Sequence, residues 1–363
     1  MTGYLLAGGG TAGHVNPLLA VADRLREQQP DDTVLVLGTR EGLEARLVPE
    51  RGYELVPIPK VPFPRRPNAA ALKFPGTFAG AVKSVRRTIR ERGIDVVVGF
   101  GGYAAAPAYV AARREGIPIV VHEQNAKPGF ANRLGSWFTR FVGVTFDGTP
   151  LKHARVVGMP LRREVATVDR AEARTLAAGL FGLQPAKRTL LVTGGSTGAR
   201  RINATVVDSL ERLLATGWQV LHIVGERSEV RNPAVPGYVQ LNYCDRMEVA
   251  IGAADFAVSR AGATTVSELG AVGVPAVYIP YPVGNGEQRF NAQGAVAAGA
   301  AVLVDDAAFT PEWVDRSLVP LLGDAEAVAR MAERARGIGV RDGAARVVEL
   351  IAEALQDRPA RPN

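Results

Sequence analysis

Two glycine-rich turns, each preceded by an apolar run, carry much of the chemistry this chain could perform. Leu5-Leu6-Ala7-Gly8-Gly9-Gly10-Thr11-Ala12-Gly13 is matched about 185 residues later by Leu190-Leu191-Val192-Thr193-Gly194-Gly195-Ser196-Thr197-Gly198. Glycines let backbone N–H groups approach an anion, and the unpaired amides and dipole of a helix start favour negative charge, so both turns suit a phosphate. His14 follows the first turn directly. At a helix N-terminus the dipole disfavours the imidazolium and leaves a neutral imidazole able to take a proton. His14 is therefore a general-base candidate, with a plain polar cap as the alternative.

A third cluster is Ser259-Arg260-Ala261-Gly262-Ala263-Thr264-Thr265-Val266-Ser267-Glu268. Its turn amides and Thr265 can hold a diphosphate at a helix start, and Glu268, about one turn further, can accept both hydroxyls of a ribose. An ordinary acid on a helix face is the plainer reading of Glu268. Gln288 and Asn291 follow another strand end and can meet sugar hydroxyls. His122 opens the polar run His122-Glu123-Gln124-Asn125 immediately after an apolar strand, where parallel-sheet proteins build sites. His153 and His222 have no such setting and read as structural. No spacing of His, Asp or Glu suggests a metal site.

The elements that must position these residues alternate between strand and helix. Val15 to Arg26 reads as a helix, Thr33 to Gly38 as a strand, and Asp95 to Gly99 as a strand followed by the loop Phe100-Gly101-Gly102-Tyr103 and a helix over Ala104 to Arg114. Gly116 to Val121 enters the strand that ends at His122. The second half repeats the pattern, with Asp255 to Ser259, a helix through Val272, and Gly273 to Pro280. Such alternation predicts an α/β chain of two Rossmann-like domains whose parallel sheets bind ligands at the carboxyl ends of their strands, across an interdomain cleft. The offset between halves is about 185 residues at the first loop and about 160 at the second, so the first half holds an insertion. The stretch from Lys60 to Arg92 is the candidate. Gly and Pro break the pattern at Val157-Gly158-Met159-Pro160, which divides the chain into 1–160 and 161–337. The last helix, Ala344 to Leu355, can pack on either domain, so the segment 338–363 can return to the first.

Composition narrows the class. A chain of 363 residues with 47% hydrophobic and 22% charged side chains is ordinary for two globular domains, and the 40 glycines exceed the usual share. One cysteine, Cys244, excludes an internal disulfide and a thiolate metal cluster, which fits a reducing compartment. The first residues lack a basic region and glycine soon interrupts their apolar run, so no secretory signal is expected. Gly and Pro likewise break the uncharged stretches Val96 to Ala112 and Leu269 to Gly286, which read as strand, loop and helix rather than membrane spans. Charge is concentrated between Lys60 and Arg92, where nine basic residues (Lys60, Arg65, Arg66, Lys73, Lys83, Arg86, Arg87, Arg90, Arg92) meet one acid, Glu91, against +7 for the whole chain. Phe63, Phe74 and Phe78 lie among these cations. Apolar wedges ringed by cations suit an anionic membrane surface, and a solvated basic helix is the bland alternative; no nucleic-acid motif accompanies the charge.

Gly8-x-Gly10-x-x-Gly13 also fits the dinucleotide fingerprint, and Arg40 could meet a 2′-phosphate. The residues after the second strand, Gly38-Thr39-Arg40-Glu41, offer no clean ribose-binding acid, and a single dinucleotide domain needs neither the second glycine turn nor the Arg260–Glu268 segment. Taken in order, Gly9 to His14, Gly99 to Tyr103, His122 to Asn125, Gly194 to Arg200, Arg260 to Glu268 and Gln288 to Ala292 resemble the MurG family of bacterial glycosyltransferases along nearly the whole chain. The resemblance implies a GT-B fold and inverting transfer of N-acetylglucosamine from its UDP donor to the C4 hydroxyl of undecaprenyl-pyrophosphoryl-N-acetylmuramoyl-pentapeptide. It implies a place in peptidoglycan synthesis, and so in cell shape and division, at the cytoplasmic face of the cell membrane as a peripheral protein. It implies no obligatory metal or cofactor, no nucleic acid, and other cell-wall synthesis proteins as further partners.

Carried over by motif, Thr11, Ala12, Gly13, Asn125, Arg162, Ser196, Cys244, Ala263, Thr264, Thr265, Glu268, Gln288 and Asn291 would line the donor site. Gly101, Gly102, Tyr103, His122 and Glu123 would lie on the acceptor side, His14 would be the base, and Lys73, Phe74, Phe78, Lys83, Arg86 and Arg87 would form the membrane patch. Two positions depart from the pattern. Ala12 stands where many relatives carry glycine, and Cys244 where an aliphatic residue often meets uracil. A glycolipid transferase with another acceptor, a sugar-nucleotide 2-epimerase and a non-catalytic sugar-nucleotide sensor remain as rival readings.

Overall fold

The computed structural model describes residues 1–61, 63–64, 69–195, 198–283 and 285–357, and of residues 69–71 the backbone alone. The chain forms two compact units, Met1–Arg162 with Asp342–Asn363, and Arg163–Arg341. The first carries seven strands: β1 (Gly3–Ala7), β2 (Thr33–Gly38), β3 (Glu54–Pro57), β4 (Val96–Gly99), β5 (Ile119–Glu123), β6 (Val142–Val144) and β7 (Ala154–Val156), in the order β3-β2-β1-β4-β5-β6-β7. The second carries six: β8 (Thr189–Thr193), β9 (Gln219–Ile223), β10 (Tyr238–Leu241), β11 (Phe256–Ser259), β12 (Ala276–Tyr278) and β13 (Ala301–Leu303), in the order β10-β9-β8-β11-β12-β13. Every pairing is parallel. The predicted α/β class is what the chain adopts.

Near-continuous apolar strands follow from covering both faces of a parallel sheet. Successive side chains of β1 point to opposite faces, so Leu5 and Ala7 enter one core with Val97 and the Ala104–Ala112 run, while Tyr4 and Leu6 enter the other with Val96 and Val98. The second core is closed by Val347, Leu350 and Ile351 from the last helix, Gly343–Gln356, which packs along α1 (Ala12–Gln28). Of the two places open to that helix, the structure gives it the first unit. The helix before it, Ala325–Ile338, belongs to the second.

In both units the chain moves outward from a central strand on one side and then returns to the other. The reversals fall between β1 and β4 and between β8 and β11. At such a switch point two neighbouring strands send their loops in opposite directions, which opens a crevice at the carboxyl edge of the sheet. Two starts differ from the sequence reading. α1 begins at Ala12 and places His14 inside its first turn, and α4 (Gly102–Glu115) begins at the second glycine of its loop. The insertion is a long crossover helix: α3 (Ala69–Glu91) has 23 residues, whereas the helix leading to β11, Met247–Ala253, has 7. Among the described residues no helix is long and apolar enough to cross a membrane.

Candidate functional site

The first switch point is built on glycine. Gly10 has φ +88°, and Gly101 and Gly102 have φ +89° and +75°, conformations that side chains resist. A Cβ on Gly102 would lie 2.4 Å from the Gly9 carbonyl oxygen, so the loop after β4 rests directly on the loop after β1. Thr11 is the residue before α1, yet its side chain does not cap the helix; its hydroxyl lies 3.1 Å from His14 Nδ1. The amides of Ala12 and Gly13 precede the first intrahelical bond and so face outward with the exposed Thr11 and Ala12. His14 Nδ1 is also 3.2 Å from the Gly9 carbonyl oxygen. A carbonyl only accepts, so that contact requires the proton on Nδ1 and leaves the Nε2 lone pair free. Nε2 lies beside Gly101, where a Cβ would come within 3.2 Å of it. Burial pushes the imidazole below its ordinary pKa, opposed by the Gly9 carbonyl and the charge of Glu44. The result is a half-buried, neutral base with an open lone pair. Tyr103 lines the same loops, its ring beside Gly10 and under the Lys60 ammonium at 5.0 Å.

His122 and Glu123 belong to the same unit but lie beneath this surface. Both are buried. His122 Nε2 lies 2.9 Å from the Gly158 carbonyl oxygen, Gln124 donates to its Nδ1 at 3.0 Å, and burial lowers its pKa to about 4. The ring is a neutral strut between the end of β5 and the 157–159 segment. Burial raises the Glu123 carboxyl, against the bonds it accepts from the Asn125 and Gly129 amides and the Asn132 side chain. It therefore shapes the loop that presents Asn125, and Asn125 itself is partly exposed. Arg162, also partly exposed, closes the first stretch of this unit.

The second switch point repeats the design on the other unit. Gly195 and Gly198 have φ +87° and +77°, and a Cβ on Gly198 would strike the Val224 carbonyl at 2.1 Å. Ser196 lies outside the described residues. After β11, Gly262 leads into the helix Ala263–Val272 with no side-chain cap, and its first intrahelical bond runs from the Val266 amide to the Gly262 carbonyl. The amides of Ala263, Thr264 and Thr265 thus have no intrahelical acceptor, with both threonines partly exposed and Glu268 buried one turn on. Gln288 uses its carbonyl oxygen to accept the Tyr281 amide at 2.9 Å, fixing the loop after β12. Asn291 is buried and donates to the Ala261 carbonyl at 3.2 Å, so it supports the turn after β11. Cys244, partly exposed, lies in the loop between β10 and the Met247–Ala253 helix. Arg260 is engaged in structure: it donates to the Ile279 and Pro280 carbonyls and pairs with Asp306 at 2.6 Å. Among the described residues no group of three or more His, Cys, Asp or Glu is arranged to hold a metal ion.

The basic segment is more neutral than its sequence. Arg86 and Arg90 converge on Glu115 at 2.5 and 2.7 Å, Arg92 pairs with Glu54 at 2.6 Å, and Arg87 stands 3.9 Å from Glu91. Lys73 and Lys83 are exposed and have no acidic partner among the described residues. Phe74 and Phe78 join Phe63 and Phe130 in one aromatic cluster, with centroids 4.3 to 6.2 Å apart. Phe63 and Phe78 pack on the core, while Phe130 is 60% and Leu72 85% exposed. The sequence reading missed Phe130, since it comes from α5 (Phe130–Gly135), far along the chain.

Glycosyltransferase family 28 models match the chain twice, the N-terminal domain over residues 4–144 and the C-terminal domain over 189–347. The chain is 63% identical over 355 residues to the UDP-N-acetylglucosamine--N-acetylmuramyl-(pentapeptide) pyrophosphoryl-undecaprenol N-acetylglucosamine transferase of Leifsonia xyli subsp. xyli, covering 98% of this chain and 99% of that one. It is 49% identical over 361 residues to the protein of the same name from Streptomyces coelicolor, at 98% and 99% coverage. Among solved structures it is similar to Acinetobacter baumannii MurG, with a TM-score of 0.76 and 29% identity over 97% of this chain and all of the other. A UDP-GlcNAc 2-epimerase from Neisseria meningitidis, at TM-score 0.67 and 13% identity, shares the fold. Paired switch-point crevices and full-length identity lead to one assignment: this chain belongs to glycosyltransferase family 28, in its MurG branch.

Proposed function

We propose that this chain is an inverting glycosyltransferase that moves N-acetylglucosamine from UDP-N-acetylglucosamine to the C4 hydroxyl of the N-acetylmuramoyl unit of an undecaprenyl-pyrophosphoryl-linked pentapeptide. The observation that carries the reading is the 63% identity, over 98% of the chain, to a relative named for this transfer. The switch-point geometry supports the following roles. His14 Nε2 takes the proton of the C4 hydroxyl as its oxygen attacks the anomeric carbon. The bond from that carbon to the β-phosphate oxygen breaks, and UDP leaves with the electron pair, so one displacement inverts the anomeric centre. Charge grows on the departing diphosphate, and the unpaired amides of Ala263, Thr264 and Thr265, with the dipole of their helix, stabilise it there. Glu268 accepts the ribose hydroxyls.

The direct test is transfer of labelled sugar from UDP-N-acetylglucosamine to a short-chain lipid-linked muramoyl-pentapeptide analogue, with UDP release followed in parallel. Transfer with matching UDP release is expected. UDP-sugar binding without transfer would move the weight to another acceptor or to a sensor, and free sugar epimerised at C2 would favour the epimerase.

The aromatic cluster with Lys73 and Lys83 fits a peripheral seat on an anionic membrane, where such an acceptor resides. Phe78 also packs on the core, so the informative change is Leu72→Ser with Phe74→Ser. This pair is expected to weaken binding to vesicles of anionic lipid several-fold, by the loss of two inserted apolar groups, while leaving thermal stability nearly intact. Unchanged vesicle binding would dispose of the membrane reading.

A further inference from the structure

Glu44 had no place in the sequence reading, and its surroundings are unusual. It opens α2 (Glu44–Glu50), and although charged it is fully buried. Its Oε1 accepts from the Thr39 amide at 2.9 Å and the Thr39 hydroxyl at 2.8 Å, and its Oε2 accepts from the Gly10 amide at 2.9 Å. Burial pushes its pKa up, but these bonds and its own amide hold it below the ordinary carboxyl value, so it is an anion at neutral pH. Three glycines make room for it. A Cβ on Gly9, Gly38 or Gly42 would lie 2.4, 2.6 or 2.1 Å from its side chain.

The amide of Gly10 and the carbonyl of Gly9 are two ends of one planar peptide group. Glu44 Oε2 accepts at the N–H end, and His14 Nδ1 sits against the C=O end. A carboxylate bonded to a peptide N–H moves electron density toward its carbonyl oxygen and makes it a stronger acceptor. We propose that Glu44 is a positioning residue for the base: through the Gly9–Gly10 peptide, its carboxylate holds His14 in the Nδ1–H tautomer and strengthens Nε2 as the proton acceptor. The proposal rests on the reading of His14 as the base. A carboxylate bonded directly to an imidazole would do the same, but here a backbone unit stands between them. The arrangement explains why the loop needs glycine at both residues, one for space and one for φ +88°.

The Thr11 hydroxyl lies 3.1 Å from His14 Nδ1, and further groups stand around the loops that hold the ring. From the connection after β2 comes Glu44. From α4 comes the Tyr103 phenol with Lys60 over its ring, and from α5 the Asn132 amide, which lies beside Gly101 and is bonded to buried Glu123. Glu44 is the charge that acts on the ring.

The experiment uses the whole protein with ¹⁵N-labelled histidine, the His14 signals being identified by their loss in His14→Ala. In the wild type Nδ1 is expected to carry the proton. In Glu44→Gln the His14 titration and the acidic limb of the kcat profile are both expected to move to lower pH, with kcat on the plateau down about 10- to 100-fold, the scale for losing an outer partner of a working imidazole. The KM for UDP-N-acetylglucosamine is expected to stay unchanged. A plateau loss with an unmoved limb would make Glu44 merely structural, and an Nε2–H tautomer in the wild type would overturn the proposal even if Glu44→Gln fails to fold. Should the wild type show the stated tautomer yet transfer no sugar, the reaction reading falls and this contact stands.

Discussion

Replacing His14 by alanine is expected to lower the rate of sugar transfer by about 10²–10⁴, the range for removing a general base, while UDP binds as before. The split follows from where the parts lie. His14 belongs to the crevice between β1 and β4, whereas the amides and carboxylate assigned to the nucleotide belong to the crevice between β8 and β11. The measurement is single-turnover transfer beside calorimetric titration with UDP. Turnover at the wild-type rate would remove His14 from the mechanism. The pH dependence has a definite sign. The base works as neutral imidazole, and burial lowers its pKa from 6.5, so activity is expected to persist below pH 6.5 and to be lost as pH falls through the lowered value. An acidic limb above 6.5 would contradict this.

Glu268→Ala is expected to act on the other half of the reaction. In its proposed role this buried carboxylate accepts two ribose hydroxyls through charge-assisted bonds, and losing them would cost about 1.5–3 kcal/mol, or about 10- to 150-fold in affinity. That loss should appear in the Kd for UDP and the KM for the donor, while kcat at saturating donor changes little, because the ribose is remote from the bonds that form and break. Glu268→Gln, which preserves shape, should recover part of the affinity. The same titration with a nucleotide lacking both ribose hydroxyls supplies the control, since wild type and variant should then bind alike. If alanine leaves UDP affinity unchanged, Glu268 is an ordinary buried helix acid.

The sequence was most readable where chemistry and backbone geometry coincide. The glycine turns and the strands that feed them could be read directly because positive φ and close backbone approach leave glycine little competition. What resisted reading was anything assembled from separate parts of the chain. Glu44 sits 34 residues from the amide it holds, and only the neighbouring positions of β1 and β2 bring the two together. The charge count of the long crossover helix overlooked Glu115 and Glu54, which the sheet order delivers to Arg86, Arg90 and Arg92. His122 and Asn291 were identified correctly as polar residues near strand ends, but linear pattern does not say on which side of a loop a side chain lies. Both proved to brace a loop from within.

The return of the last helix has a consequence for how the chain is made. Residues 163–341 form a complete unit inserted within another, and Gly343 comes back so close to the first stretch that a Cβ there would meet the Met159 carbonyl at 2.3 Å. During synthesis the inserted unit can finish as soon as it has left the ribosome. The unit around it must wait, because the part of one sheet face over β4 and β5 stays uncovered until Val347, Leu350 and Ile351 arrive beside α1. A chain broken off before Gly343 would thus carry a finished second unit and a first unit with one of its two cores only partly covered.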